Sequence, residues 1–167
     1  IFLISRFNGQ YLISVTAITI FAAMLGFLIW NKSPARIYMG DAGSLFLGTL
    51  VAILTIRLDP VVDTKLVSFA IPLLLLAAPL LDTCVAVASR IRRGKSIFHG
   101  GKDHLSHRLM RKGFSKKQSA YLLWSLAAIF SGTAATLSFV QSSLFLVWVS
   151  ALFWLALFLT FLQSSDA

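Results

Sequence analysis

Apolar residues run through this chain in five long stretches, at residues 11–30, 44–58, 66–89, 119–140 and 144–162, with polar and charged residues gathered between them. A helix needs about 20 mostly apolar residues to cross the hydrocarbon core of a bilayer, because lipid offers backbone N–H and C=O groups no partner outside the helix. The pattern therefore predicts an all-α fold, a polytopic transmembrane helical bundle of about five spans, with the second span the shortest. Trp30, Tyr121 and Trp124 fall near predicted span ends, where amphipathic rings favour the interface. Pro72 and Pro79 predict a bend in the third span, since each removes a helix N–H and crowds a carbonyl one turn back. No repeat, low-complexity tract or soluble domain is visible, so residues 1–167 read as a single membrane domain.

Five spans place successive connections on alternate sides. Segments 31–43, 90–118 and 163–167 then share one side with twelve Lys and Arg, whereas 1–10, 57–65 and 141–143 hold only Arg6, Arg57 and Lys65. The positive-inside rule makes the first group cytoplasmic. On the other side, Arg57, Asp59, Asp63 and Lys65 balance in a short turn around Pro60, and residues 141–143 make a tight hairpin; neither suggests chemistry. Chemistry is expected in the two cytoplasmic loops, about 31–43 and 90–118, or at a charged residue within a span.

Composition sharpens this picture. The chain is 57% hydrophobic and 13% charged, with a mean hydropathy of +0.83 and a formal charge of +9. Ten of its fifteen basic residues lie in the 90–118 loop, so the charge belongs to that loop and nucleic acid is not an expected partner. The lipid bilayer is. All six acids are Asp, and the lone Cys84 excludes an internal disulfide. The chain begins at Ile1 with no basic segment and cleavage site to suggest a signal peptide, and it is expected to be part of a longer protein.

The first loop reads Asn31-Lys-Ser-Pro-Ala-Arg-Ile-Tyr-Met-Gly-Asp41-Ala-Gly-Ser-Leu. Asn31 can close the first helix with Pro34 behind it, and Asp41 can cap the second with Gly40 and Gly43 relaxing the turn. Alternatively, a carboxylate at a helix N-terminus, flanked by glycines that admit a ligand to the backbone, suits Mg²⁺ carrying a diphosphate. The second loop holds Phe98-His-Gly-Gly-Lys102-Asp103-His104-Leu-Ser-His107-Arg108-Leu-Met-Arg111. If helical, His104, His107, Arg108 and Arg111 share a cationic face. Such a face can bind anionic lipid headgroups, and one His-x-x-His pair is thin for zinc. The histidines add directional donors and proton transfer that plain lipid anchoring does not require. Asp82 stands in the third span, about 12 Å below the second loop by helix rise. Burying it ionised costs about 2.5–3.5 kcal/mol, so it faces either an interhelical hydrogen bond or a site.

At these positions the sequence resembles the family of polyprenyl-phosphate N-acetylhexosamine-1-phosphate transferases, which includes the phospho-N-acetylmuramoyl-pentapeptide transferase of peptidoglycan synthesis. Residues 31–48 resemble the family's Asn-x-x-Pro-Ala-x-x-(Phe/Tyr)-Met-Gly-Asp-x-Gly-Ser block. Asp82 resembles its third-span acid, and His104-Leu-Ser-His107-Arg108-Leu its histidine loop, with Ser106 where many members have a further His. The resemblance implies a membrane enzyme that moves a sugar-1-phosphate from a UDP-sugar to polyprenyl phosphate at the cytoplasmic face of the cell membrane and releases UMP. It implies Asp41, His104 and His107 as catalytic residues, with Asp41 as the Mg²⁺ ligand. Asn31, Gly43, Lys102, Asp103 and Arg108 are then substrate-binding, and a homodimer is compatible with the reading. The competing expectations are a transporter that uses Asp82, and a non-catalytic membrane anchor with a basic lipid-binding loop. The family's adjacent Asp-Asp pair is absent here, so the 167-residue chain alone is expected to be inactive.

Overall fold

The computed structural model describes residues 1–32, 34–97, 101, 103–140 and 144–163. Its elements are all helical: α1 (Phe2–Phe7), α2 (Tyr11–Asn31), α3 (Gly40–Arg57), α4 (Lys65–Leu75), α5 (Ala77–Arg92), α6 (Leu105–Arg111), α7 (Lys116–Val140) and α8 (Leu144–Gln163). By length and apolarity α2, α3, α7 and α8 can each cross a membrane, and α4 with α5 forms a fifth candidate bent by 72°. The large apolar side chains of α2, α3 and α8, such as Phe21, Phe46 and Leu152, lie mostly exposed on the outside of the bundle, as a lipid solvent allows.

Two differences from the sequence expectation bear on function. The second span begins at Gly40, so it takes in Asp41, which stands in the first turn and not at the cap; Met39 is the N-cap residue and no side chain caps the helix. The third span is broken outright at Leu76. Pro79 explains the position: in a continuous helix its ring would meet the carbonyl of Leu75, whereas in the first turn of a new helix its missing N–H costs nothing. Trp154 of α8 donates its indole N–H to Ala77 O at 3.0 Å beside the break. Segment 1–10, expected as a plain connection, contains the short α1.

Polar ties sort the ends of the bundle. Asn8 and Gln10 donate to Asp59 O while the Asp59 N–H donates to Gln10 Oε1, and Ser138 Oγ donates to Pro60 O. The segments before α2, after α3 and at the end of α7 thus meet at one end, as alternating connections require. At the other end the Schellman turn of α5, with Gly94 at φ +64° and Lys95 N–H on Arg90 O at 2.9 Å, opens the basic loop. A reciprocal Ser115–Gln118 capping box closes it and starts α7.

The core has two parts. Val67, Ile71 and Leu74 of α4 pack on Phe130, Ala134 and Leu137 of α7, together with Ile4 of α1. Leu81 and Val85 of α5 pack on Leu105 of α6, covered by Leu123, Trp154, Leu157, Phe158 and Phe161. This second cluster is the floor of the candidate site, because Leu81 precedes Asp82 and Leu105 follows His104.

Candidate active site

The first loop is shaped by its own backbone. Asn31, the last residue of α2, donates its amide to Ile37 O at 2.9 Å, and Arg36 N–H bonds Trp30 O at 2.9 Å. The chain then turns through Gly40 at φ +67°, a left-handed conformation that glycine adopts without strain. A Cβ on Gly43 would lie 2.6 Å from Met39 Cγ, so Gly43 allows that side chain to fold over the first turn. The Asp41 carboxylate is exposed and makes no hydrogen bond or ion pair to a described residue; only its carbonyl is used, by Ser44 Oγ at 3.0 Å. It stands where the helix dipole favours a negative charge.

The second loop is held by ions. Burial alone would raise the Asp103 carboxyl, but hydrogen bonds and charge from Arg93 and Arg90 outweigh it and hold the group below the usual carboxylate value. Arg90 Nε donates to Asp103 Oδ2 at 3.1 Å, Arg93 pairs with Oδ1, and Arg90 also holds Ile97 O at 2.7 Å. A Cβ on Gly101 would lie 2.6 Å from Asp103 Oδ2. Arg108 is 1% exposed; its Nε donates to Asp103 O at 2.8 Å and its Nη1 to Phe161 O at 2.6 Å. The expected common cationic face is therefore divided, because Arg108 turns inward between Leu105 and Leu109 while Arg111 is exposed and His107 half-buried.

Asp82, which helix rise places well below this loop, is in contact with it. Its Oδ2 lies 2.7 Å from His104 Nδ1, and its Oδ1 accepts from Leu105 N–H at 2.6 Å. The loop descends onto α5 because Arg90 and Arg93 draw residues 97 and 103 back along the helix they follow. Asp82 thus joins His104 as a residue of the site, and Arg90 and Arg93 as its supports; an acid inside a span and arginines at its end were the visible signals. Lys102 lies outside the described residues. The contacts gather Asp82, Asp103, His104 and Arg108 around α6.

Among the described residues no three His, Cys, Asp or Glu side chains come together as a metal site. Asp41 nonetheless has the chemistry of a single Mg²⁺ ligand, a carboxylate at a helix N-terminus that no described residue engages. Magnesium is commonly held by one or two carboxylates with substrate phosphates and water completing the shell.

The family described as Glycosyl transferase family 4 matches residues 1–59. A Bacillus subtilis relative, a probable undecaprenyl-phosphate N-acetylglucosaminyl 1-phosphate transferase, is 37% identical over 93% of this chain and 40% of its own length. Over residues 1–59 the chain is similar to glycosyl transferase family 4. Other relatives match at lower identity. The Salmonella typhi undecaprenyl-phosphate alpha-N-acetylglucosaminyl 1-phosphate transferase is 32% identical over 94% of the chain and 43% of the relative. The Mycobacterium leprae decaprenyl-phosphate N-acetylglucosaminephosphotransferase is 32% identical over 75% of the chain and 34% of the relative. The chain thus spans about 40% of the length of the curated relatives it matches. No solved structure matches it. With these relatives and its several apolar helices, the chain is a multi-pass membrane protein.

Proposed function

We propose that the protein transfers N-acetylglucosamine 1-phosphate, or a related N-acetylhexosamine 1-phosphate, from a UDP-sugar to polyprenyl phosphate at the cytoplasmic membrane face, releasing UMP. The observation that carries the reading is the Asp82–His104 pair joined to the histidine helix α6, in a chain whose relatives are named for this transfer. Both substrates are phosphates, one in water and one in lipid. A catalyst for them needs cationic and hydrogen-bonding groups at the mouth of a membrane bundle, where His104, His107 and the basic loop are found.

His104 and His107 hold transferred and leaving phosphate oxygens by directional hydrogen bonds. Asn31 and Gly43 keep the first loop in the shape that leaves Asp41 free. Asp103 and Arg108 hold the second loop in place, and Lys102 adds charge there. A Mg²⁺ held by Asp41 and substrate phosphates would neutralise diphosphate charge. The cytoplasmic assignment of both loops rests on their twelve basic residues against three.

Membranes containing the full-length protein test the reading when supplied with labelled UDP-N-acetylglucosamine and undecaprenyl phosphate. Label should pass to lipid with one UMP released per transfer; absence of lipid-linked label with every UDP-N-acetylhexosamine offered would refute it. Orientation is tested by impermeant thiol labelling of intact cells, which should modify a cysteine placed at Thr64 and spare one placed at Ser96.

A further inference from the structure

Asp82 belongs to neither polar loop, yet both of its carboxylate oxygens are used by the second one. Oδ2 meets His104 Nδ1 at 2.7 Å and Oδ1 meets the next residue's N–H, that of Leu105, at 2.6 Å. One side chain therefore fixes an imidazole and the backbone immediately after it, across a separation of 22 and 23 residues. Attachment of α6 to the bundle does not depend on this bond. Leu81, Val85 and Leu105 are buried against one another beside it, and Arg108 already ties α6 to the end of α8. An acid in an apolar helix is unfavourable unless it is used, and the use visible here is the orientation of one ring.

The chemistry of the contact sets the state of that ring. A carboxylate only accepts hydrogen bonds, so the proton of the contact sits on Nδ1. Whatever His104 does toward a phosphate then passes through Nε2, whether it accepts or donates there. The His104 side chain is 46% exposed and that of Asp82 34%, so the pair is open to a ligand on one side and anchored to the apolar floor on the other.

We infer that Asp82 is a positioning residue for the proposed transfer: it fixes the tautomer and direction of His104 and presents Nε2 to a substrate phosphate oxygen. This rests on the transferase reading above. Asp82 does not touch substrate; it acts through His104, much as a carboxylate behind a metal-bound or catalytic imidazole fixes that ring elsewhere.

The full-length protein in membranes, assayed with UDP-N-acetylglucosamine and undecaprenyl phosphate, separates this role from a structural one. Asp82→Asn keeps an oxygen for Leu105 N–H but removes the charged acceptor from Nδ1. It should lower kcat by about 10- to 100-fold with KM within about threefold of the unaltered protein. In a His104→Ala background the same substitution should lower kcat no further, because its route to the reaction is already gone. Asp82→Glu, which keeps two acceptor oxygens on a longer arm, should recover at least about threefold of kcat over Asp82→Asn and serves if the Asn variant accumulates poorly. Transfer by the unaltered protein together with an unchanged kcat in Asp82→Asn, losses that multiply with His104→Ala, or equal kcat in the Asn and Glu variants would overturn the inference alone. No transfer by the unaltered protein with any UDP-N-acetylhexosamine would overturn the transferase reading, and this inference with it.

Discussion

The two polar loops of this bundle are built on opposite plans. The loop before α3 is shaped by backbone bonds and glycines, and its one acid, Asp41, is left exposed with its carboxylate unused by any described residue. The loop before α7 is held by charged side chains: Asp103 between Arg90 and Arg93, Arg108 buried across two carbonyls, and Asp82 on His104. An unpaired carboxylate can give its full charge to a ligand, whereas a paired one has already been used to hold structure. The difference separates groups available for chemistry, Asp41 and the half-exposed His104, from groups that hold them.

Breaking the first loop should have the largest effect. Asp41→Asn should lower transfer by the full-length protein about 10³-fold or more at near-normal expression, because the amide preserves shape and loses the charge for Mg²⁺. Transfer above a tenth of normal, measured as lipid-linked label, would return Asp41 to a mere charge at a helix end. Within the second loop, His104→Ala and His107→Ala should each lower kcat about 10²-fold. Lys116→Ala and Lys117→Ala, in the first turn of α7, should change it by less than about twofold, as surface charges near a membrane do. Equal small losses at all four would make the loop a lipid-binding patch.

The same contrast decides what was legible in sequence. Hydropathy marks the four long candidate spans and the bent α4–α5 pair, since the length needed to cross lipid is a local property of the chain. Asp41 and the histidines stand out because polar residue types at fixed spacing are local too. The contact of Asp82 with His104 is not, for it depends on Arg90 and Arg93 drawing the loop back, and no spacing shows a fold-back. Arg108 misleads for a related reason: a basic residue beside a histidine suggests a phosphate ligand, yet its two neighbours in the helix turn, Leu105 and Leu109, take it into the core. The prolines foretell a bend, but its placement at Leu76 follows from the clash between Pro79 and the Leu75 carbonyl.

Arg108 therefore serves to sharpen the comparison. Arg108→Lys keeps the charge but cannot reach Asp103 O and Phe161 O together with a forked head. It should lower the midpoint of thermal unfolding in detergent, in line with losing about 1–3 kcal/mol at a buried polar site, and lower kcat about 10-fold with the loss shared across the loop. A raised KM at unchanged thermal midpoint would identify Arg108 as a phosphate ligand instead.

The smallest effect expected is a pH dependence carried by Asp103. Its carboxyl is held below the usual range because Arg93 and Arg90 donate to it and outweigh the burial that opposes ionisation. A group whose pKa is lower folded than unfolded contributes stability above its unfolded value, about 3.9 for Asp. That contribution is lost as pH falls through the folded value, since the unfolded chain binds the proton first. At pH 6 to 8 the clamp is complete and its contribution flat. Below about pH 4 the unfolded chain takes up the proton first, and the contribution shrinks until the folded group is protonated as well. The quantity to follow is the difference in thermal midpoint between the unaltered protein and Asp103→Asn. That difference should be constant from pH 8 to pH 5 and diminish below pH 4. A difference already falling between pH 7 and pH 5 would mean that Asp103 is not depressed, and that the loop is held chiefly by Arg108 and its two carbonyls.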